Sequence, residues 1–156
     1  MPRLRKALDL SASDWVLIAQ ATLWFAAVEF GLRFLPLRTV LAQLHHQRPS
    51  GQETCGPTSA IPERAAYCVE LASRLYPFRP TCLKKALVLY SLLNRRGFDV
   101  QVQLGAARDS GRLEAHAWVE HQGRIILGAP TPGRYATLGA LENSSAGTCR
   151  REHLAS

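Results

Sequence analysis

The chain has 156 residues, 47% of them apolar and 20% charged, which suits one globular domain and excludes two large domains or disorder throughout. Nineteen Lys and Arg against twelve Asp and Glu leave a charge of +7, suited to acidic partners such as a carboxylate-rich peptide or a lipid surface. Aromatic residues at 8%, and the absence of long basic runs, argue against nucleic acid as a partner.

At the amino end, Arg3, Arg5 and Lys6 precede a mostly apolar run over residues 15–32, the outline of a signal peptide or a membrane span. Asp9 and Asp14 follow the basic start, and Gln20, Thr22 and Glu29 interrupt the run. Glu29 in lipid would cost a few kcal/mol, so a buried or partner-facing helix is expected, with membrane-surface contact as the alternative. Ser11 or Ser13 would cap it, with Asp14 in its first turn. Trp15, Ala19, Leu23, Ala27 and Phe30 share one apolar face, which Trp24 widens, and Glu29 and Arg33 stand four apart as a surface pair. Left exposed, that face predicts poor solubility of the isolated chain, relieved by deleting residues 1–35 or by adding partners. A short helix over 37–44 and a Pro/Gly/Ser-rich linker over 45–62 follow.

Residues 63–76 read as a helix, with Ala65, Cys68, Ala72 and Leu75 at three- and four-residue steps. Pro77 and Pro80 stop it. The next helix, 82–96, has Thr81 as N-cap, an apolar stripe of Leu83, Ala86, Leu87, Tyr90 and Leu93, Arg95 and Arg96 in its last turn, and Gly97 as its C′ residue. The period then changes to two. Val100, Val102 and Leu104 form a strand, residues 106–112 a polar loop, and 115–120 a second strand. A three-residue turn, His121 to Gly123, leads to a return strand over 124–127. Residues 135–141 form a short strand or turn, and 143–156 a loose tail.

The four cysteines, Cys55, Cys68, Cys82 and Cys149, lie far apart without zinc-ligand spacing, so no metal is expected and the thiols read as reduced, in a cytoplasmic protein. Cys82 stands out because a helix N-terminus favours the thiolate, the form that attacks; Lys84 and Lys85 would add positive potential. Cys68, mid-helix on an apolar stripe, reads as structural. His116 interrupts a small, apolar strand and is the natural base for Cys82. A third group would orient its imidazole. Pairing across a three-residue turn puts Gly128 opposite His116, where there is no side chain to serve. Glu114 on the same face is the tentative orienter; Asp109, Asn143 or a backbone carbonyl remain open. Trp118, on the His116 face, is a candidate wall of the substrate cleft, and Thr81 is a second candidate for substrate binding. Cys55 is a rival, since Gln52 and Gly56 flank it as in papain-type proteases.

The stretch RPTCLKKALVLYSLLNRRG (79–97), with AHAWVE (115–120) and Gly123, resembles the lasso peptide biosynthesis B2 proteins, the leader peptidases of the microcin J25-processing type. The resemblance implies an α+β fold: N-terminal helices, then a small transglutaminase/papain-like core with the nucleophile helix packed on an antiparallel sheet. It implies a helical prelude and linker over 1–60, a protease core over 61–142 and a flexible tail over 143–156. It implies a cysteine protease, with Cys82 as nucleophile and His116 as base, that cuts the leader from a ribosomally made precursor peptide. A separate leader-binding B1 protein would present the substrate, and an ATP-dependent macrolactam synthetase would close the ring. Any ATP dependence would come through that partner, since the chain itself shows no cofactor motif. The family often has an Asp where Gly128 stands, which keeps a non-catalytic precursor-binding adaptor, or another thiol acyltransferase, as the alternative. The expected place is the cytoplasm, peripheral to the inner membrane if the first helix meets lipid.

Overall fold

In the computed structural model, which describes residues 11–46, 60–109 and 111–140, helix α1 (Ala12–Phe34) starts at Ser11. The Asp14 carboxylate reaches back to the Ser11 backbone N–H at 2.8 Å, the reciprocal half of a capping box. Five more elements of helix and strand carry the core: α2 (Leu37–His46), α3 (Ala60–Leu75), α4 (Cys82–Asn94) and the paired strands β1 (Val100–Asp109) and β2 (Arg112–His121). Two shorter strands, β3 (Arg124–Leu127) and β4 (Ala136–Ala140), complete a four-stranded antiparallel sheet in the order β3-β2-β1-β4. The expected α+β architecture is present, with helices on one side of an antiparallel sheet.

Helix α4 is the axis of the core. Every residue from Ala86 to Asn94 is buried, so the helix is enclosed on all sides rather than on the one stripe expected. It packs on β1 and β2 and is flanked by α1 and α3. Its end follows the sequence reading: Phe98 N–H bonds Leu93 O at 3.1 Å and Gly97 N–H bonds Asn94 O at 3.0 Å, a Schellman closure that Gly97 permits at φ 81°. Helix α3 begins at Ala60, earlier than expected, because Pro62 is tolerated in a first turn whose N–H groups lack helical acceptors. Its buried face is Ala65, Ala66, Cys68, Val69 and Ala72, whereas Leu75 is exposed. The small side chains let its neighbours approach closely.

The face of α1 expected to be buried or partner-facing is exposed. Ile18, Ala21, Phe25 and Val28 enter the core together with Asp14, while Trp15, Ala19, Leu23, Ala27 and Phe30 point outward. Both faces are apolar, so spacing could not choose between them; the anchors that could are Asp14 and Glu29. Arg64 of α3 grips Asp14 through Nε at 2.8 Å and through Nη2, and Glu29 pairs with Lys84 of α4 instead of Arg33. Deleting residues 1–35 would therefore open the core instead of improving solubility. Glu29 also fixes which way α1 is rolled against the nucleophile helix.

The Arg64 guanidinium holds the Asp14 carboxyl well below its ordinary 3.8, aided by Ser11 and opposed by burial. A depressed folded-state value contributes stability above about 3.8 that is lost as the pH falls below it. Urea midpoints of wild type and Asp14→Asn, measured between about pH 6 and pH 2.5, should differ most at the upper end and draw closer, without meeting, toward the lower. A gap independent of pH would exclude an ionised Asp14 as its origin.

In the sheet, β1 continues to Asp109 and β2 begins at Arg112, so most of the expected 106–112 loop is ladder. The turn after β2 has two residues, not three: His121 pairs with Arg124, and Gln122 and Gly123 hold φ of 50° and 74°, as a type I′ turn requires. An irregularity then shifts the ladder so that Val119 pairs with Leu127. The chain next runs from the β3 edge to the opposite edge, where β4 pairs with β1.

Candidate active site

Cys82 is the first residue of α4. Thr81 precedes it in an extended conformation, and the Lys84 N–H donates to its Oγ1 at 3.4 Å. The remaining early N–H groups of α4 have no acceptor within the helix and point toward the Cys82 end. They can serve an oxyanion. Cys82 is half-buried, in a cleft of about 160 Å³ lined by Glu70, Pro80, Cys82, Lys85, His116, Ala117, Leu127 and Gly128. Helix start and strand thus bring the two sequence-predicted residues, Cys82 and His116, to one cleft.

The lysines beside Cys82 do not act as bare charges. Lys84 pairs with Glu29 of α1, and Lys85 Nζ lies 3.1 Å from the Glu70 carboxylate. The expected positive potential is therefore largely compensated. Cys68 shows the opposite setting: burial, then the nearby Asp14, push its thiol up to about 11. It is an inert core thiol. Cys55, Asn143 and Cys149 lie outside the described residues.

His116 Nε2 is 2.8 Å from the Gly128 carbonyl oxygen. A carbonyl only accepts, so Nε2 carries the proton and Nδ1 keeps the lone pair. The expected ladder pairing of His116 with Gly128 does not form, because the two-residue turn and the shifted ladder bring Gly128 beside Ala117 and Trp118. The His116 side chain spans the difference. Glu114, the tentative orienter, is engaged elsewhere: its carboxylate takes Arg134 Nη2 at 2.8 Å and the Tyr135 hydroxyl. Asp109 is on β1 opposite Arg112, four residues from the Gly105 that pairs with His116, about 13 Å along a strand.

Tyr135, which sequence reasoning passed over, stacks on the imidazole with centroids 5.1 Å apart and planes at 28°. Its hydroxyl titrates higher than usual through burial and the bond to Glu114. Trp118 lies 6.3 Å from His116 at 23°, buried, with its indole N–H on Glu120 at 2.8 Å. Gly105 makes room for both: a Cβ there would fall 2.8 Å from the Trp118 ring and 3.1 Å from Tyr135 Cβ. The imidazole is therefore fixed in the plane by a carbonyl and across the plane by two rings. The only advance signal for Tyr135 was an aromatic residue in a Pro/Gly-rich stretch.

Gly128 holds φ at 72°, and a Cβ on it would stand 2.9 Å from the Ala117 oxygen. Gly128→Ala should shift the carbonyl that His116 uses and lower kcat/KM by about 10- to 100-fold, since a displacement of about 1 Å suffices for such losses. A pH–rate profile and a thermal melt check it; unchanged kinetics in a folded variant would remove Gly128 from the site. A larger cleft of about 420 Å³ adjoins the first, sharing Glu70, Leu127 and Gly128 and continuing between α3 and β3 past Tyr67 and Ile126.

A family model described as the transglutaminase-like superfamily matches residues 21–140. No curated protein and no solved structure shows a match to the chain. The match takes in α3, α4 and all four strands together with most of α1.

Proposed function

The chain belongs to the transglutaminase-like superfamily, whose members are usually cysteine peptidases or acyltransferases, and we propose that it removes the leader from a ribosomally made lasso precursor peptide. The observation that carries the chemistry is one cleft lined by Cys82 at a helix start and by His116 with its tautomer fixed. The choice of substrate rests on the resemblance of 79–97 and 115–120 to lasso B2 proteins. The second cleft, bounded by β3 at the edge of the sheet, supports an extended peptide, since an edge strand offers unpaired N–H and C=O groups.

His116 Nδ1 takes the Cys82 proton, and the thiolate attacks the scissile carbonyl. Helix-start N–H groups hold the oxyanion. The imidazolium then protonates the leaving amine, and water, activated by the same nitrogen, hydrolyses the thioester. A leader-binding B1 protein presents the substrate, and an ATP-dependent macrolactam synthetase uses the freed amine. Of the two residues expected to meet substrate, Thr81 caps the helix start and Trp118 is buried against the imidazole, and neither lines the cleft.

One observation favours a second reading. His116 leans on a carbonyl rather than a carboxylate, which stabilises an imidazolium less. That suits a precursor-binding adaptor, or an acyltransferase that resolves the thioester with an amine. Incubating the purified chain with a precursor peptide, with and without B1 protein, separates the readings by product mass. Addition of water identifies the peptidase, addition of an amine the acyltransferase, and binding without turnover the adaptor.

A further inference from the structure

The outward face of α1 is unbroken by polar groups from Trp15 to Phe30. Trp15, Val16, Ala19, Leu23, Ala26, Ala27 and Phe30 are its exposed residues over that stretch, and Leu23 and Phe30 are 72% and 67% exposed. Phe34 continues the line and touches Phe30, with ring centroids 4.5 Å apart. The 23 residues of α1 extend about 34 Å at 1.5 Å per residue. A contiguous apolar stripe of that length on the outside of a folded protein marks a contact surface.

We propose that this stripe lies on an anionic lipid surface, with α1 parallel to the membrane. The charge beside it favours lipid. Arg95 and Arg96 leave the end of α4 exposed and lie against the flank of the stripe. The Arg95 guanidinium sits 5.6 Å from the Trp24 ring centroid, and Arg96 Nη2 is 2.8 Å from Gln20 Oε1. Arg33 is exposed near the far end of the helix, and the sequence places Arg3, Arg5 and Lys6 shortly before it. Apolar side chains at acyl depth with guanidinium groups at headgroup level are the two parts of interfacial binding.

Among the described residues α1 is the one helix long and apolar enough to cross a membrane, yet spanning would tear its inner face from the core. Ile18, Phe25 and Val28 are buried there, and Asp14 is held by Arg64. The body of the protein thus takes the place of the polar face of an ordinary amphipathic helix.

The full-length chain should co-sediment with vesicles of phosphatidylcholine and phosphatidylglycerol. It should bind less to phosphatidylcholine alone, and less again at high salt. Leu23→Glu with Phe30→Glu should lower partitioning about 100-fold, at roughly tenfold for each lost apolar contact. Because both residues face outward, the melting temperature and the alkylation rate of Cys82 should not change. Equal partitioning of the double variant would overturn the proposal, as would no binding to anionic vesicles. A wild-type dimer that the variant converts to monomer would assign the stripe to a second copy of the chain instead.

Discussion

Cys82→Ala is expected to reduce precursor cleavage by about ten-thousandfold or more, because loss of a covalent nucleophile removes the acyl-enzyme route altogether. The fold should survive. Cys82 is the first residue of α4, and the cap on that helix is the Thr81 oxygen, which the substitution leaves in place. His116→Ala should be nearly as damaging, and the double variant little worse than either alone, since the two groups act as a unit. Limiting iodoacetamide on the folded chain gives a measure that needs no substrate. Cys68 is buried with its thiol pushed up to about 11 and should stay silent, while Cys82 should react early and lose that advantage in His116→Ala. Retained cleavage by purified Cys82→Ala would end the peptidase reading. Slow alkylation of Cys82 unaffected by His116 would leave the adaptor.

Deleting residues 1–35 should abolish cooperative unfolding. The deletion takes Ile18, Ala21, Phe25 and Val28 out of the core and strips a wall from α3 and α4. It leaves Arg64 and Lys84 without Asp14 and Glu29. Phe25→Ala alone should cost about 3–5 kcal/mol, a large part of the 5–15 kcal/mol that holds a typical domain. Leu23→Ala, two residues away on the exposed face, should change stability by only about 0.5 kcal/mol. Thermal or urea melts of these three proteins decide which face of α1 is structural. A truncated chain with a sharp, wild-type-like transition would mean that α1 is an accessory helix and that the core closes without it.

Much of the nucleophile segment was legible because its signals are local. Thr81 before Cys82 and Gly97 after Arg96 are capping residues whose effect depends on a few neighbouring dihedrals, so the structure could hardly put the helix ends elsewhere. The alternation of 115–120 and the glycine at 123 indicated β2, a turn and β3 for the same reason, though the turn proved one residue shorter than read. Alternation also showed that His116 and Trp118 share a face. What alternation could not supply was the partner of the imidazole. One residue fewer in the turn and one irregularity in the ladder decide whether Gly128 offers His116 an empty pairing position or a carbonyl. That choice depends on twist and packing across strands, which no short window of sequence contains.

The sequence by itself determined the helix that carries Cys82, the strand that carries His116, and the N-cap and C′ residues. Each of these follows from hydrogen-bonding and periodicity within about ten residues. Tertiary structure alone decided three things. It chose the inner face of α1, because both faces are apolar and only the ion pairs from Asp14 and Glu29 to residues more than 49 positions away set the roll of the helix. It brought Tyr135 onto His116, because the chain between β3 and β4 crosses from one edge of the sheet to the other. And it gave the imidazole a backbone oxygen, because a glycine at positive φ can turn its carbonyl toward a neighbouring strand without a Cβ in the way.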